Sequence, residues 1–204
     1  MRIIRRDEQR RAASVGKYAA MVQLDYPSAE IKATGRTDLI DDLKKILDAT
    51  RPDIVYTHNL ADKHDTHIGV ALATIEAIRR LQAGWRPRRV LGCEVWRGLD
   101  WLNDDEKVVS DVSGWDGFAA ELNSQFDSQI AGGKRYDLAT SGRRSANATF
   151  FDPHAADSCT QACLAMDMTP LILDGGPSAV EFMTGVTGRF QADVLDRLDR
   201  LTRS

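Results

Sequence analysis

The stretch RPDIVYTHNLADKHDTHIGVALATIEAIR, residues 51–79, decides the fold. Residues 53–57 are short and largely β-branched, which predicts a buried strand of a parallel sheet. From Thr66 the apolar side chains recur at helical spacing as far as Leu81, so we expect a helix there. Three of the four histidines lie between the end of this strand and the first turn of the helix. They follow the carboxyl end of the strand, which is where open α/β sheets bind ligands.

The flanking segments continue this alternation of helices and strands. Helix, strand, loop and helix in that order are typical of an α/β fold with a mostly parallel sheet. Further helices are predicted for residues 7–22, from 37 onward, 118–130, 158–166 and 180–201, strands for residues 89–95 and 107–112, and a polar loop for residues 141–154.

Length, charge and cysteine content exclude several classes of protein. The chain is interpreted as one domain, residues 1–204, long enough to bury a sizeable core. Its 27 basic and 30 acidic residues give a net charge of −3, so neither nucleic acid nor an anionic membrane is an expected partner. No signal peptide or membrane span is recognisable, so we expect a cytoplasmic protein. Cys159 and Cys163 are expected reduced on one helical face.

The histidine cluster has the spacing of a candidate metal site. His64 and His67 are three residues apart, so on a first helical turn their rings project to one side. His67 can then bind a metal while His64 faces a reacting group. Asp62 and Asp65 can orient the rings as hydrogen-bond acceptors. The alternative is a solvated loop in which the carboxylates cap the following helix.

The other two histidines are harder to assign from the sequence. His58 directly follows the predicted strand, so it is either a third ligand or a hydrogen-bonded structural residue. His154 is too distant along the chain to be judged. Cys159 and Cys163 lack the Cys-x-x-Cys spacing of zinc modules, which disfavours a Cys-His metal site.

Four stretches share a pattern with one known family: residues 51–79, RRDEQRRAASVG (5–16), GCEVWRGLDWL (92–102) and FDSQIAGGKRYDLATSGRRSANATF (126–150). Together they resemble the LmbE/PIG-L family of zinc-dependent N-acetylglucosamine deacetylases. In that family a strand ending in Thr-His or a similar pair leads to Asp-x-His-x-x-His and a helix. The resemblance implies a Rossmann-like three-layer α/β sandwich.

The resemblance also implies zinc as the cofactor and suggests a role for each histidine. His67 would be the zinc ligand. His64 would stabilise the tetrahedral oxyanion or protonate the departing amine. We take His64 and Asp62 as the candidate catalytic residues. Family members commonly have Pro-Asp between the two histidines, where this chain has Asp65-Thr66.

The chain departs from the family at the first signature. The string His-Pro-Asp-Asp-Glu supplies two zinc ligands and the base that activates water in the family, and it does not occur in this sequence. We therefore expect an N-terminally truncated domain that lacks the first βαβ portion and has little or no activity. A sheet without that strand exposes backbone and apolar surface, so lower stability or pairing with another copy is expected.

Candidate substrate-binding residues lie on both sides of the chain's midpoint. Asn59 follows the histidine of the strand, and Arg143 and Arg144 can reach a sugar or an anionic aglycone. An ordinary solvated loop explains the two arginines equally well. Trp96 and Trp101 can stack on a sugar face, although buried aromatic packing is the commoner role of such residues.

Three functions follow from these interpretations. The first is a zinc-dependent hydrolase that removes an acetyl group from an N-acetylated amino sugar or glycoconjugate, as the resemblance implies. The second is a non-catalytic carbohydrate-binding or regulatory relative. The third is a non-hydrolytic metal-binding protein that uses His58, His64 and His67 together. In each case the expected partner is a small molecule, and a homo-oligomer is open.

Overall fold

The computed structural model describes residues 2–203, except for the side chain of Arg2. Within that range helices and strands are mixed along the chain. They are α1 (Arg2–Val15), α2 (Ser28–Lys32), α3 (Thr37–Thr50), β1 (Ile54–His58), α4 (Asp65–Arg79), β2 (Arg89–Cys93), β3 (Lys107–Asp111), α5 (Asp116–Ser124), α6 (Asp127–Ile130), α7 (Tyr136–Thr149), β4 (Ala162–Asp167) and α8 (Ala179–Thr202).

The strands form one four-stranded sheet with the order β1-β2-β4-β3. β1 and β2 are parallel, with Ile54 opposite Arg89 and His58 opposite Cys93. β2 and β4 are antiparallel, with Gly92 opposite Met166. The α/β class is therefore confirmed. The mostly parallel, Rossmann-like arrangement is not confirmed, because one parallel pair is followed by an antiparallel neighbour.

The chain divides into two compact units, so the single domain spanning residues 1–204 stays a prediction. The first unit contains residues 1–25 and 109–163, and the second contains residues 26–108 and 164–204. In the first unit the carboxylate of Glu8, on α1, is buried. It accepts hydrogen bonds from the backbone N–H and the hydroxyl of Ser128, both at 2.7 Å. These bonds join α1 to α6.

The second unit has the larger apolar core. Helix α4 packs between α3 and β1, and its positions Ala71, Ala77 and Ile78 have no solvent exposure. Gly69 allows α4 to approach α2 closely, because a Cβ at this position would lie 2.6 Å from the carbonyl oxygen of Ile31. Other fully buried apolar side chains of this unit are Ala73 of α4, Val90 of β2, Leu99 in the segment after β2, and Met168 and Leu171 after β4.

Two of the predicted elements are wrong. The segment 141–154 was expected to be a polar loop, yet most of it belongs to α7, where the amide of Asn147 donates to the carbonyl of Ala162 at 3.0 Å. The segment 158–166 was expected to be helical, but residues 162–167 form β4. Cys163 therefore lies in a strand, and the predicted helical face with Cys159 does not exist. None of the three cysteines forms a disulfide in the described structure.

The other predicted elements are confirmed, with changed ends. Helix α1 ends at Val15 instead of continuing to residue 22, and the helix predicted for 118–130 is divided into α5 and α6. β1 and α4 lie where the opening stretch predicts them, but the prediction that this strand is buried is wrong. β1 lies at the edge of the described sheet, and Ile54 and Tyr56 are exposed on it. Among the described residues, no helix combines the length and the apolar character that crossing a bilayer requires.

Candidate metal centre

The site lies where β1 and β2 end together. His58 is the last residue of β1 and lies opposite Cys93, the last residue of β2. Because the two strands are parallel, the segments that leave them meet at the same edge of the sheet. The chain leaving β1 carries Asp62 and His64 before it enters α4, whose first turn carries His67. This order places the predicted histidine cluster at the carboxyl ends of the parallel strands β1 and β2.

Asn59 shapes the turn between β1 and the histidines. Its side chain is fully buried. The amide nitrogen Nδ2 donates to the carbonyl of Gly92 at 3.4 Å, and Oδ1 accepts the backbone N–H of Ala61 at 2.8 Å. A Cβ at position 92 would lie 2.8 Å from the sulfur of Met168 and 3.3 Å from Nδ2 of Asn59, so a larger residue would have to displace the buried Met168 side chain. The turn is therefore held to β2 by a side chain with no exposed surface.

Asp62 joins two of the histidines. Its Oδ2 lies 3.0 Å from Nδ1 of His67, and its Oδ1 accepts the backbone N–H of His64 at 2.8 Å. Since Nδ1 of His67 bonds the carboxylate, Nε2 is the ring nitrogen that remains for a ligand. The carboxylate has the position of a group that orients a ligating imidazole from behind.

His58 lies directly against His67. Their rings are parallel within 5°, and the ring centroids are 3.9 Å apart. One potential ligand atom from each of His58, Asp62 and His67 lies within 4.8 Å of the others. His64 is the outermost member of the cluster and is exposed. Its ring centroid is 5.0 Å from that of His67 and 4.7 Å from the ring of Trp96, which it meets edge to face.

The charges of the cluster suit a cation. Burial lowers the pKa of His58, and the neighbouring His67 lowers it further. Burial raises the pKa of Asp62, but the hydrogen bonds from His67 and from the backbone of His64 outweigh it, so the net pKa is lowered. A neutral imidazole and an ionised carboxylate are the forms in which these groups bind metals.

A largely apolar groove of about 570 Å³ leads to the cluster. Its walls come from α3, β1 and α4, with Leu43, Val55 and Val70 among the lining side chains. The groove also reaches His58, Asp62, His67, Cys93 and Trp96. A ligand in the groove can therefore contact the cluster while its apolar part lies against the edge strand.

Glu94, which follows β2, was not singled out from the sequence. Its side chain is buried, and Oε2 accepts the backbone N–H of Leu99 and the indole N–H of Trp101, both at 3.2 Å. Its Oε1 is buried without a hydrogen-bond partner. Burial raises the pKa of Glu94. Arg97, in the same turn, donates to the carbonyl of Ala61 at 2.9 Å, which links this turn to the histidine loop.

The predicted site residues fall into two groups. His64, His67, Asp62 and Asn59 lie together at the end of β1, with His58 joining as a member that the sequence left undecided. Asn59 is engaged by Gly92 and Ala61, so its contact with a substrate stays a prediction. Arg143 and Arg144 lie on α7 in the first unit, and their contact with a substrate stays a prediction as well. Trp101 packs as a hydrogen-bonded aromatic residue, as its commoner role suggests.

The comparisons with known proteins agree with the resemblance seen in the sequence. Residues 1–78 match the family model described as PIG-L, GlcNAc-PI de-N-acetylase. This range runs from α1 into the last turn of α4 and includes every member of the histidine cluster. No curated protein matches the chain. The family resemblance is therefore confirmed for the segment that carries the candidate site.

Proposed function

From a chain that resembles the PIG-L family, we propose a zinc-dependent hydrolase that removes the acetyl group from an N-acetylated amino sugar or glycoconjugate. The observation that supports this proposal most strongly is the convergence of His58, Asp62 and His67 within 4.8 Å inside the segment that matches the family. The two imidazoles are donors that zinc accepts, and the carboxylate lies where it can orient one of them.

The residues present fit such a metal. We assign His67 as a ligand through Nε2, because its Nδ1 bonds Asp62. His58 is assigned as the second imidazole, since its ring lies against that of His67 and its pKa is lowered. Asp62 holds His67 in place and lends its negative charge to the site. Bound zinc would supply Lewis-acid polarisation of the amide carbonyl.

We assign His64 a catalytic role toward the reacting groups of the substrate. It is exposed at the mouth of the site, with its ring 5.0 Å from that of His67. Its backbone is held by Asp62 and its ring lies against Trp96, so the imidazole has a defined position. An imidazolium at this position can donate a hydrogen bond to the developing oxyanion or a proton to the departing amine. The apolar groove accommodates the less polar part of the substrate.

The proposed hydrolysis also needs a general base, and neither aspartate beside the histidines is well placed for that role. Both oxygens of Asp62 accept hydrogen bonds, and Asp65 is exposed at the first turn of α4. General-base help contributes typically a factor of about 10²–10⁴ to such reactions, so we expect slow turnover. This observation favours the second candidate function, a carbohydrate-binding relative that releases no amine.

An assay of amine release from N-acetylglucosamine conjugates tests the proposal, with zinc content measured on the same samples. We expect slow release that depends on zinc and is lost in His67→Ala. The matched control is His154→Ala, which changes an exposed histidine of the first unit. Release that persists in His67→Ala would contradict the assignment, and sugar binding without release would support the non-catalytic alternative.

A further inference from the structure

We propose that Glu94 is a positioning residue of the candidate metal centre. It acts through the segment that follows β2, residues 94–101, which we call the Glu94 turn. This turn holds the ring of His64 through Trp96, and it holds the histidine loop, residues 59–64, through Arg97. The inference deepens the proposed function and rests on it, because the part that His64 takes in amide hydrolysis belongs to that proposal.

The side chain of Glu94 closes the turn. It belongs to a residue that is 8% exposed, and its Oε2 accepts two hydrogen bonds of 3.2 Å, from the backbone N–H of Leu99 and from the indole N–H of Trp101. These donors lie five and seven residues further along the chain. Water competes little for hydrogen bonds in so buried a place, so one oxygen fixes the shape of the whole segment.

The backbone of the turn adopts a conformation that needs such support. The φ angles of Gly98 and Leu99 are 68° and 59°. Glycine adopts left-handed backbone angles readily, whereas the Cβ of leucine makes them unfavourable. Leu99 keeps this conformation with its side chain fully buried and its N–H bonded to Glu94. Residues held in this way persist only where surrounding contacts fix them, and they cluster at functional sites.

Two side chains of the turn reach the histidine loop. The ring centroid of Trp96 lies 4.7 Å from that of His64, with 69° between the ring planes. Arg97 donates from Nε to the carbonyl oxygen of Ala61 at 2.9 Å, in the middle of the loop. Trp96 and Arg97 are neighbours in a turn of fixed shape. The ring of His64 and the backbone that carries it are therefore placed together.

The two histidines assigned to the metal have other supports. Nδ1 of His67 bonds Asp62, and the ring of His58 is stacked on that of His67. His58 also belongs to β1 and His67 to the first turn of α4. A disturbance of the Glu94 turn should therefore displace the ring of His64 and leave His58 and His67 able to bind zinc.

The carboxyl group of Glu94 is costly in this place. Its Oε1 is buried without a hydrogen-bond partner, and such an atom lowers the stability of the folded chain. An apolar side chain would avoid that cost, but it could not accept the N–H groups of Leu99 and Trp101. The position of the turn, rather than the stability of the core, explains an acceptor at residue 94.

Nuclear magnetic resonance of the histidine rings in the full, metal-free chain tests the placement independently of catalysis. An aromatic ring shifts the signals of protons beside it, so Trp96→Leu identifies the shift that Trp96 imposes on the ring of His64. We expect Glu94→Ala to remove most of that shift and to leave the ring signals of His58 as they are. Glu94→Gln keeps an acceptor for the two donors, so it should retain the shift.

Arg97→Ala is the second variant, because Glu94→Ala also weakens folding. Arg97 is exposed, so its replacement should leave folding intact. We expect it to move the His64 signals in the same direction as Glu94→Ala does. Arg88→Ala is the matched control, since Arg88 is also an exposed arginine but lies just before β2, away from the turn that follows this strand. It should leave the His64 signals unchanged.

Kinetics of amine release by the same variants test the consequence for the proposed hydrolysis. We expect Glu94→Ala and Arg97→Ala to lower kcat by about 10- to 100-fold, as is typical of a displaced catalytic group, with KM and zinc affinity unchanged. Glu94→Gln should restore kcat. A general loss of structure would instead lower zinc affinity together with kcat.

Three results would overturn the proposal. They are His64 signals that stay the same in Glu94→Ala and Arg97→Ala, an equal displacement of the His58 signals, and a loss of kcat that Glu94→Gln does not restore. A native chain that releases no amine but shows the expected changes in the His64 signals would contradict the proposed function alone. The placement of His64 by Glu94 would then stand.

Discussion

The ring nitrogen Nδ1 of His67 lies 3.0 Å from Oδ2 of Asp62. The same carboxylate accepts the backbone N–H of His64 through its other oxygen at 2.8 Å. One buried side chain therefore sets the ring orientation of one histidine and the backbone position of another. Because the side chain of Asp62 is almost completely buried, water competes little for these bonds.

The first prediction concerns this carboxylate. Asp62→Asn keeps the size of the side chain but removes its charge and weakens the acceptor for His67. We expect zinc affinity to fall by about 10- to 100-fold, as is typical when the group that orients a ligating histidine is changed. Competition against a chelator of known affinity measures the change. Asp65→Asn is the control, since Asp65 is exposed and has no part in the cluster, and an equal loss in that variant would argue against the orienting role.

The second prediction separates the three histidines by their roles. His58→Ala and His67→Ala each remove a potential ligand from the cluster, so both should lower zinc affinity. His64 is not among the three residues whose potential ligand atoms converge, so His64→Ala should retain zinc while amine release declines. Zinc titration and the deacetylase assay on the same variants measure both effects. Zinc loss in His64→Ala together with zinc retention in His58→Ala would reverse the assignment.

The third prediction concerns Glu94. Burial raises the pKa of this carboxyl, so its contribution to stability is complete below its ordinary value and is lost as the pH rises through the folded pKa. Glu94→Gln keeps an acceptor for the N–H groups of Leu99 and Trp101 without the buried charge. We expect it to be more stable than the native chain by about 1 kcal/mol at neutral pH, with a smaller advantage near pH 4. Urea unfolding at the two pH values measures the difference.

Glu94→Ala is the contrasting variant. It leaves the two donors without an acceptor in a buried place, so we expect a loss of about 2–4 kcal/mol at either pH. If both variants destabilised the chain to the same extent, the charge of Glu94 would be needed in the folded protein, and the explanation from burial would be wrong.

The fourth prediction concerns Tyr26, whose hydroxyl donates to Oδ2 of Asp42 at 2.8 Å. This hydrogen bond, with burial and the charge of Asp42, raises the pKa of Tyr26 to about 12. A raised pKa stabilises the folded chain below the ordinary value near 10, and that stabilisation is lost as the pH rises through about 12. In an ultraviolet titration of the four tyrosines, one should ionise late. Tyr26→Phe should remove that late phase, and its persistence would contradict the prediction.

The fifth prediction concerns the outer edge of the sheet. β1 is an edge strand in the described sheet, and Ile54 and Tyr56 are 38% and 60% exposed on it. Such an edge offers unpaired backbone groups to other chains. We expect Tyr56→Lys to reduce light scattering on heating without changing the melting temperature by more than a few degrees. Tyr18→Lys, an exposed tyrosine outside the sheet, is the control that should scatter like the native chain.

The sequence by itself determined the helices and strands whose residue pattern lies within one segment of the chain. The apolar spacing in residues 37–50, 65–79 and 179–202 predicts α3, α4 and α8, because a helix that buries one face repeats that face every three to four residues. The β-branched run before His58 likewise predicts β1. The histidine spacing predicts His64 and His67 at the start of a helix, where the structure has them. The match to PIG-L covers the same part of the chain.

Only the tertiary structure decided the elements that depend on distant partners. Residues 162–167 have a spacing that also suits a helix, and they form β4 because backbone pairing with β2 is available there. The position of His58 against His67 and the burial of Glu94 depend on which side chains the packing brings together. Sequence periodicity shows which face of a helix or strand is buried. It carries no information about which residues pack against that face. Those packing partners set the chemistry of a site.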